Sequence, residues 1–328
     1  MKNNQLMSLP EVNALVRDNH IMVLAANENV LAQIEKGRWI GGTIPYFMDV
    51  EGGCMSNDKV FVTDLTHLVS DARIRRYDDR QLFGLTADRY RNGFSWLLVP
   101  GFSDIHFRFA LDVNDYPGVF DAPLMGWITG VDLADIGKVS PKILDGESGQ
   151  FYDNRAIALH CQLPDSKFAK LDIVNLFQQG DGDIITFPES GFSATQCMVN
   201  GEKMIFADYL KQHKIDTRLP LVANYSGAMI NISIQQVDDG KVSFYAPVVK
   251  NQVYKFAMPV KDYVTDFKKL IPKSTANVVG ACNCILNYLY SDLEGKKTGA
   301  LTGPFTFGEI AYVLVNQTLS VLSVEYLV

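Results

Sequence analysis

Two cysteines close to the C-terminal end, Cys282 and Cys284, have the types and spacing that most directly suggest chemistry. They flank Asn283 at the end of a predicted strand, where alternation places both thiols on one face and the amide on the other. Two adjacent thiols can bind a soft metal ion or supply a nucleophile. A metal site needs further ligands, and the sequence offers neither a Cys-x-x-Cys motif nor a paired histidine. We therefore expect two small, buried, reduced thiols that are not bonded to each other.

A glycine-bracketed aromatic turn, Gly303–Glu309, carries the second candidate group. Glycine at both ends lets the turn lie close to a bound molecule, and alternation gives it one aromatic and one polar face. The carboxylate of Glu309 either accepts hydrogen bonds from a ligand amine or caps the segment that follows. Asn283 and Asn287 are four residues apart, so both amides reach one cavity if a helix starts at Cys284. This lining suits a small amphipathic ligand, such as an amino acid or a related amine, better than a phosphate.

The histidines give weaker signals. Ser103, Asp104 and His106 stand in one loop, but catalytic triads are assembled from separate segments, and no Gly-x-Ser-x-Gly elbow is present. His160 lies in an apolar run and is expected to be a core histidine with satisfied hydrogen bonds. A non-covalently bound haem would take its axial ligand from His20, His67, His106, His160 or His213.

The two ends of the chain contain the same order of predicted elements: helix, strand, helix, glycine turn, strand. At the N-terminal end these are a helix capped by Ser8, a strand over His20–Ala26, a helix over Glu28–Lys36, a turn at Gly42 and a strand over Lys59–Leu65. At the C-terminal end they are a helix over Lys261–Leu270, a strand over 277–284, a helix over Ile285–Leu293, a turn at Gly303 and a strand over Leu319–Leu327. Matching landmarks recur at nearly one shift of about 260 residues, so we predict two structural copies with Gly42 at the position of Gly303.

Strand-like runs with turn signals fill the middle of the chain, and Asp112–Gly149 is rich in glycine, proline and aspartate. Strands in the middle and helices near the ends favour an α+β fold of mixed sheets with packed helices. We predict two pseudo-repeated halves, residues 1–150 and 151–328.

Several of these segments together resemble FIST domains, which are bacterial sensory modules. His20–Leu65 is similar to the N-terminal part of that family, although Pro45-Tyr46-Phe47 stands where the family usually has Ala-Gly-Glu. Val199–Leu210 resembles a segment of the C-terminal part, in which an Asn-Gly turn precedes a helix. Gly280–Cys284 and Gly303–Glu309 resemble that part's closing signature. The resemblance implies small-ligand sensing that feeds a separate signalling partner, and some members are similar to haem-binding nitric-oxide sensors.

Composition excludes several classes of protein. The 328 residues carry a net charge of −7, and this acidic balance disfavours nucleic acid as a partner. Five cysteines, an odd number in a large chain, indicate reduced thiols in a cytosol. The longest apolar stretches are interrupted by polar residues and are too short to span a membrane.

We therefore predict a cytoplasmic, non-enzymatic sensory protein that binds a small metabolite in a cleft between the two copies and acts through a separate signalling protein. No cofactor, metal, membrane or nucleic acid is expected. The alternatives are a thiol-dependent enzyme, with Cys282 or Cys284 as nucleophile, and a haem-based gas sensor. The predicted ligand-binding residues are Gly42, Thr43, Tyr46, Phe47, Cys282, Asn283, Cys284, Asn287, Phe305, Thr306, Phe307 and Glu309.

Overall fold

The N-terminal segment forms its predicted helices and strands. The computed structural model describes residues 4–225, 228–271 and 276–327. The cap at Ser8 forms, because its backbone N–H donates to the Glu11 carboxylate at 2.8 Å. The second helix ends earlier than predicted, at Leu31, where the chain turns to bury Ile34 and Trp39 in the same apolar cluster. The elements of this first repeat are β1 (Asn4–Ser8), α1 (Leu9–Arg17), β2 (Met22–Ala26), α2 (Glu28–Leu31), β3 (Trp39–Thr43), β4 (Tyr46–Asp49), β5 (Gly52–Met55) and β6 (Lys59–Asp64).

A second repeat follows directly, with two long apolar strands at its centre. Its elements are β7 (Asp71–Tyr77), β8 (Gly93–Pro100), α3 (Asp104–Asp112), β9 (Leu124–Thr129), β10 (Ile143–Asp145), β11 (Gln150–Tyr152) and β12 (Ala156–Gln162). Trp96 on β8 and Trp127 on β9 pack edge to face, with ring centroids 6.0 Å apart. The two central strands, β8 and β9, are buried along almost their whole length, as strands covered on both faces must be.

A third repeat closes the chain and contains a long insertion between its first strand and its first helix. Its own elements are β13 (Lys167–Val174), α5 (Tyr263–Leu270), β23 (Val278–Cys284), α6 (Ile285–Tyr290), β24 (Gly303–Thr306), β25 (Glu309–Ala311), β26 (Val313–Val315) and β27 (Leu319–Tyr326). The insertion, residues 175–260, is called the inserted unit below. Its elements are β14 (Ile185–Thr186), β15 (Gly191–Ala194), β16 (Gln196–Val199), β17 (Glu202–Ile205), α4 (Phe206–Gln212), β18 (Leu221–Tyr225), β19 (Ala228–Ile232), β20 (Ile234–Asp238), β21 (Lys241–Val248) and β22 (Tyr254–Phe256).

The three repeats build three six-stranded sheets with one common strand order. The orders are β1-β6-β2-β3-β10-β11, β7-β12-β8-β9-β25-β26 and β13-β27-β23-β24-β4-β5. In each sheet the third strand is parallel to the fourth and antiparallel to the second. The last two strands of each sheet are a hairpin that another repeat contributes. Each repeat therefore gives one hairpin and receives one, and main-chain hydrogen bonds close the cycle.

The repetition predicted between the two chain ends is confirmed in strand order and direction, and mixed sheets with packed helices confirm the α+β class. The structure adds a third copy, residues 71–162, which the sequence analysis did not recognise. The boundary suggested after residue 150 falls at the first residue of β11, inside a hairpin. One alignment was wrong: Thr43 and Thr306 both pair with the last residue of the neighbouring strand, so Gly303 corresponds to Ile40 rather than to Gly42.

The inserted unit consists mainly of strands and is joined to the third repeat through buried polar groups. It contributes two sheets, β17-β16-β14-β22-β18-β19 and β15-β21-β20. Ser233 Oγ lies 2.7 Å from Asn316 Oδ1 and 2.6 Å from Gln317 Oε1, and Asn231 Nδ2 donates to the Asn316 carbonyl at 3.1 Å. These four side chains are at most 2% exposed, so the contact between the two parts is dry and specific. None of the helices that the structure describes has both the length and the apolar composition to cross a lipid bilayer.

Candidate functional site

A cavity of about 280 Å³ lies where the inserted unit meets the second and third repeats, and we call it the aromatic cavity. Its wall is formed by Gly101, Phe102, His106, Phe107, Ile128, Leu133, Ile136, Phe192, Ser193, Gln235, Lys241, Ser243, Phe244, Tyr245, Cys284, Ile285, Leu286, Leu289, Phe307 and Asn316. Six of these side chains are phenylalanine or tyrosine rings. A concave, mostly apolar surface with a few polar groups is the usual form of a small-molecule site.

A tight strand-to-helix turn positions one side of this cavity. Strand β8 ends at Pro100, and Ser103 Oγ caps α3 by accepting the His106 N–H at 3.3 Å. Between them Phe102 has a φ of 60°, in the left-handed region that side chains other than glycine rarely adopt. Its ring packs edge to face on Phe307 of the third repeat, 5.7 Å between centroids. Backbone strain of this kind costs about 1–3 kcal/mol and is concentrated at functional sites.

His106 gives the cavity wall a buried imidazole. The ring is 4% exposed and is stacked on Phe107 at 5.4 Å and against Phe192 at 5.7 Å. Burial lowers the pKa of His106 to about 4, so the ring is neutral near pH 7. Nδ1 accepts the Phe102 backbone N–H at 3.3 Å, which assigns the proton to Nε2, and Nε2 has no hydrogen-bond partner among the described residues.

Asn316 supplies a second buried amide nitrogen to the same wall. The residue is 1% exposed, and Oδ1 accepts from the Ser233 backbone N–H at 3.2 Å and lies 2.7 Å from Ser233 Oγ. The backbone bond fixes the orientation of the amide, because a backbone N–H only donates and the amide oxygen is the acceptor. Nδ2 is left without a partner in the part of the chain that the structure describes.

Glu309 lies in the interior and not in the cavity wall. It is fully buried, and Oε1 accepts from the Thr318 backbone N–H at 3.1 Å and from Thr318 Oγ1 at 2.6 Å. Burial raises the pKa of Glu309 to about 8, since hydrogen bonds from Thr318 and Cys284 only partly compensate the lost hydration. The carboxyl group is therefore mainly protonated near neutral pH, and the predicted contact with a ligand amine is replaced by a structural one.

The two cysteines follow the predicted alternation. All five cysteines are free, and Asn283 lies on the other face of β23, where it lines a small void beside α5. Cys282 Sγ donates to the Gly126 carbonyl at 3.3 Å, and Cys284 forms part of the aromatic cavity wall. The pKa of both thiols is raised well above the usual value, mainly because they are buried and secondly because Glu309 is close. Such thiols are poor nucleophiles, so the geometry does not favour the thiol-dependent enzyme.

Sequence comparison places the chain in a family. Residues 7–325 match the model of DUF6976, described as a family of unknown function. The chain belongs to this family. Neither a curated protein nor a solved structure matches it. The resemblance of this DUF6976 protein to FIST domains therefore stays a prediction.

Two of the twelve predicted ligand-binding residues, Cys284 and Phe307, lie in the wall of the aromatic cavity. Asn287 lines a separate, more polar groove of about 570 Å³ on the far side of α6, and its Nδ2 donates to Asn283 Oδ1 at 2.8 Å. The two asparagines bond to each other and line different pockets, so they do not share one cavity as the sequence analysis predicted. The predicted cleft between the two chain ends is replaced by a cavity against the inserted unit.

The remaining predicted residues belong to the core of the repeats. The ring of Phe47 stacks on Phe61 with a centroid distance of 5.9 Å, and the ring of Phe305 packs at a tilt against Tyr288 with a centroid distance of 4.8 Å. Tyr46 donates its hydroxyl to Asp132 at 3.2 Å.

The two predicted threonines form side-chain hydrogen bonds with backbone groups at strand ends. Thr43 Oγ1 accepts the Lys142 N–H at 2.9 Å, and Thr306 Oγ1 donates to the Asn283 carbonyl at 3.2 Å. Gly42 is a glycine because a Cβ there would lie 2.7 Å from the Thr129 methyl group. Close packing between strands, and not a ligand, explains these residue types.

The aromatic cavity includes residues that the sequence analysis missed. Phe102 follows an apolar strand in a Gly-Phe-Ser turn, and this strand-to-helix signal could have marked it. His106 was considered only as a triad member and as a possible haem ligand. The inserted unit's contributions, such as Phe192 and Tyr245, have no local signal, because only the long-range packing brings them to the wall. Asn316 was missed for the same reason.

Two other histidines, His160 and His20, have structural hydrogen-bond partners. His160 lies 2.7 Å from both Tyr77 Oη and Ser95 Oγ, as expected for a satisfied core histidine, and His20 pairs with Asp64 at 2.8 Å. Across residues 4–225, 228–271 and 276–327, no three side chains of the His, Cys, Asp or Glu type converge as a metal ion would require.

Proposed function

We propose that this protein binds a small, largely apolar molecule in the aromatic cavity and serves as a sensory ligand-binding protein. The observation that carries the proposal is the wall itself: one partly open cavity is lined by six aromatic rings and by two residues whose buried N–H groups have no partner among the described residues. Sites for small molecules combine an apolar lining with a few polar groups in this way.

The charge of the lining argues against the amine ligand that the sequence suggested. Within the described part of the chain, none of the lining residues is acidic, and Glu309 lies outside the wall. A cationic head group would lose its hydration without gaining a counter-charge, which is costly in an apolar site. We therefore revise the ligand class from an amino acid or amine to an apolar molecule without a positive charge.

The position of the cavity supports a sensory role. Its wall combines the turn after β8, helix α6 and strands β15, β20 and β21 of the inserted unit. A ligand that contacts all three parts stabilises one arrangement of the inserted unit on the repeats, and ligands shift populations only through such differential contacts. A separate signalling protein that recognises this arrangement would provide the output.

Binding of a neutral fluorescent probe tests the proposal. We expect N-phenyl-1-naphthylamine, which is uncharged at pH 7 and brightens in apolar surroundings, to bind the protein saturably. Gln235 lies in the wall of the cavity on β20, and its neighbour Gln236 does not, although both are exposed glutamines of the same strand. Gln235→Trp should obstruct the cavity and raise the Kd of the probe by about tenfold or more. Gln236→Trp, the matched control, should leave the Kd unchanged.

The same pair of variants separates the aromatic cavity from a second apolar cavity. That cavity, of about 390 Å³, lies between Ala110 of α3, Tyr312 of the β25–β26 hairpin and Ala246 of the inserted unit. Probe binding that neither variant alters would assign the probe to another site. Absence of saturable binding to the wild type, or equal Kd values for all three proteins, would contradict the proposed function. A haem band in the visible spectrum of freshly purified protein would instead favour the gas-sensor alternative, with His106 as the histidine in the cavity wall.

A further inference from the structure

We infer that the ligand of the aromatic cavity is an apolar molecule with a carboxylate, bound by the N–H groups of His106 and Asn316 and by the ammonium group of Lys241. The inference rests on the proposed function and adds the chemical class of the ligand. It follows from which hydrogen-bonding groups the wall leaves unpartnered and from the sign of its charge.

Both unpartnered polar atoms in the buried wall are donors. The unpartnered atom of His106 is Nε2–H, because its Nδ1 already accepts the Phe102 N–H, and that of Asn316 is Nδ2, because its oxygen accepts the Ser233 backbone N–H. The two residues are 4% and 1% exposed, so bulk water does not solvate them freely. A buried donor without an acceptor is unfavourable, and a ligand oxygen would satisfy it. A ligand that only donates would leave both groups unsatisfied.

Lys241 gives the wall its only charged side chain among the described lining residues, and that charge is positive. The residue is exposed at the start of β21, so its ammonium group reaches the edge of the cavity while keeping contact with water. Asp238 lies opposite it across the β20–β21 hairpin, yet no ion pair within 4 Å is formed by Lys241 in the described structure. The cation is therefore available to an anionic ligand group.

The size and lining of the site favour a carboxylate over a phosphate. A phosphate carries up to two charges and is usually held by several cations or by a series of backbone N–H groups. The wall offers one lysine and two neutral donors, which match the single charge and the two oxygens of a carboxylate. The aromatic rings then enclose the apolar part of the molecule.

Competition between three matched compounds tests this class. The compounds 4-phenylbutanoate, 4-phenylbutan-1-ol and 4-phenylbutylamine share one apolar body and carry a negative, neutral or positive head at pH 7. Each would be titrated against bound N-phenyl-1-naphthylamine. We expect the carboxylate to displace the probe at a concentration about tenfold or more below that of the alcohol, since hydrogen bonds to charged groups are the stronger ones, and the amine to be weakest.

A pair of lysine variants assigns this preference to the cavity. Lys241→Met keeps most of the apolar stem and removes the charge, and Lys203→Met changes an exposed lysine on β17 outside the wall. We expect the preference for carboxylate over alcohol to fall to about twofold in Lys241→Met and to stay unchanged in Lys203→Met. Equal competition by carboxylate and alcohol in the wild type, or a preference that Lys241→Met leaves intact, would overturn the carboxylate assignment. Probe binding that persists in these cases would leave the proposed function standing, whereas loss of probe binding in the wild type would remove both.

Discussion

Replacing Glu309 by glutamine should make the stability of this protein less sensitive to alkaline pH. Glu309 is fully buried without a basic partner, and burial raises its pKa from 4.5 to about 8. Its folded pKa lies above its unfolded pKa, so the folded state binds the proton more tightly. Its contribution to stability is complete below pH 4.5 and is lost as the pH rises through 8. Glutamine resembles the protonated acid and can still accept the two hydrogen bonds from Thr318.

The size of the effect follows from the two pKa values. Between pH 5 and pH 8 the wild type loses about 3 kcal/mol of unfolding free energy through this one group. His106 and His160 act in the opposite direction, because burial lowers the pKa of each to about 4 and the neutral fold gains stability up to about pH 6.5. Their contribution is common to both proteins, so it cancels when the variant is compared with the wild type at each pH.

Urea unfolding at pH 5, 6, 7 and 8 measures this difference. Trp39, Trp96 and Trp127 are each 1% exposed, so their fluorescence reports global unfolding. The unfolding free energy of Glu309→Gln minus that of the wild type should increase by about 3 kcal/mol from pH 5 to pH 8. Glu202→Gln, which changes an exposed glutamate on β17, serves as the control and should show no such trend. If the pH profiles of Glu309→Gln and wild type are parallel, Glu309 does not bind a proton more tightly in the fold, and the reasoning is refuted.

Two further predictions concern the thiols and the spacing of the strands. When the native protein is treated with a disulfide reagent such as dithiobis(2-nitrobenzoate), half-buried Cys54 should react first. The buried thiols of Cys282 and Cys284 should react only after unfolding, and peptide mass mapping would identify the modified residues. Rapid modification of native Cys284 would instead support a thiol-dependent enzyme. Gly303→Ala should lower the unfolding free energy by about 1–3 kcal/mol, because its Cβ would lie 1.9 Å from the Ala281 carbonyl oxygen. Gly182→Ala, where a Cβ meets no atom within 4 Å, is the control, and equal stability of the two variants would contradict the packing argument.

Local sequence patterns predicted the individual helices and strands better than they predicted the number of structural repeats. The strands ending at Ala26 and Cys284 are short apolar runs followed by a helix and a glycine-containing strand, so their likeness is visible in the sequence. The second repeat has the same strand order, but its connection from Thr129 to Ile143 is long and rich in polar residues. This stretch resembles a domain boundary in composition, and the hairpin exchange that shows it to be part of a repeat involves only long-range pairing.

The candidate site was predicted less well because residue type does not distinguish a ligand contact from tight packing. The aromatic residues and glycines around Gly303–Glu309 were suited to either role, and most of them pack between strands. Phe307 lies in the cavity wall because the turn after β24 faces Phe102 of another repeat. Glu309 begins the next strand and is directed into the interior towards Thr318. The local sequence does not determine where the side chains of Phe307 and Glu309 lie. Their placement depends on Phe102 and Thr318, which come from other parts of the chain.

The aromatic cavity lies at the place where the threefold repetition is broken. Three repeats with one strand order form three equivalent junctions, and each hairpin exchange binds a junction through main-chain hydrogen bonds. The inserted unit enters the third repeat alone, between β13 and α5, and packs near the turn that follows β8 of the second. This junction acquires rings from outside the repeats, among them Phe192, Phe244 and Tyr245. The repeated sheets frame this junction, and the proposed ligand would contact both parts: the repeats contribute His106 and Asn316, and the inserted unit contributes aromatic rings and Lys241.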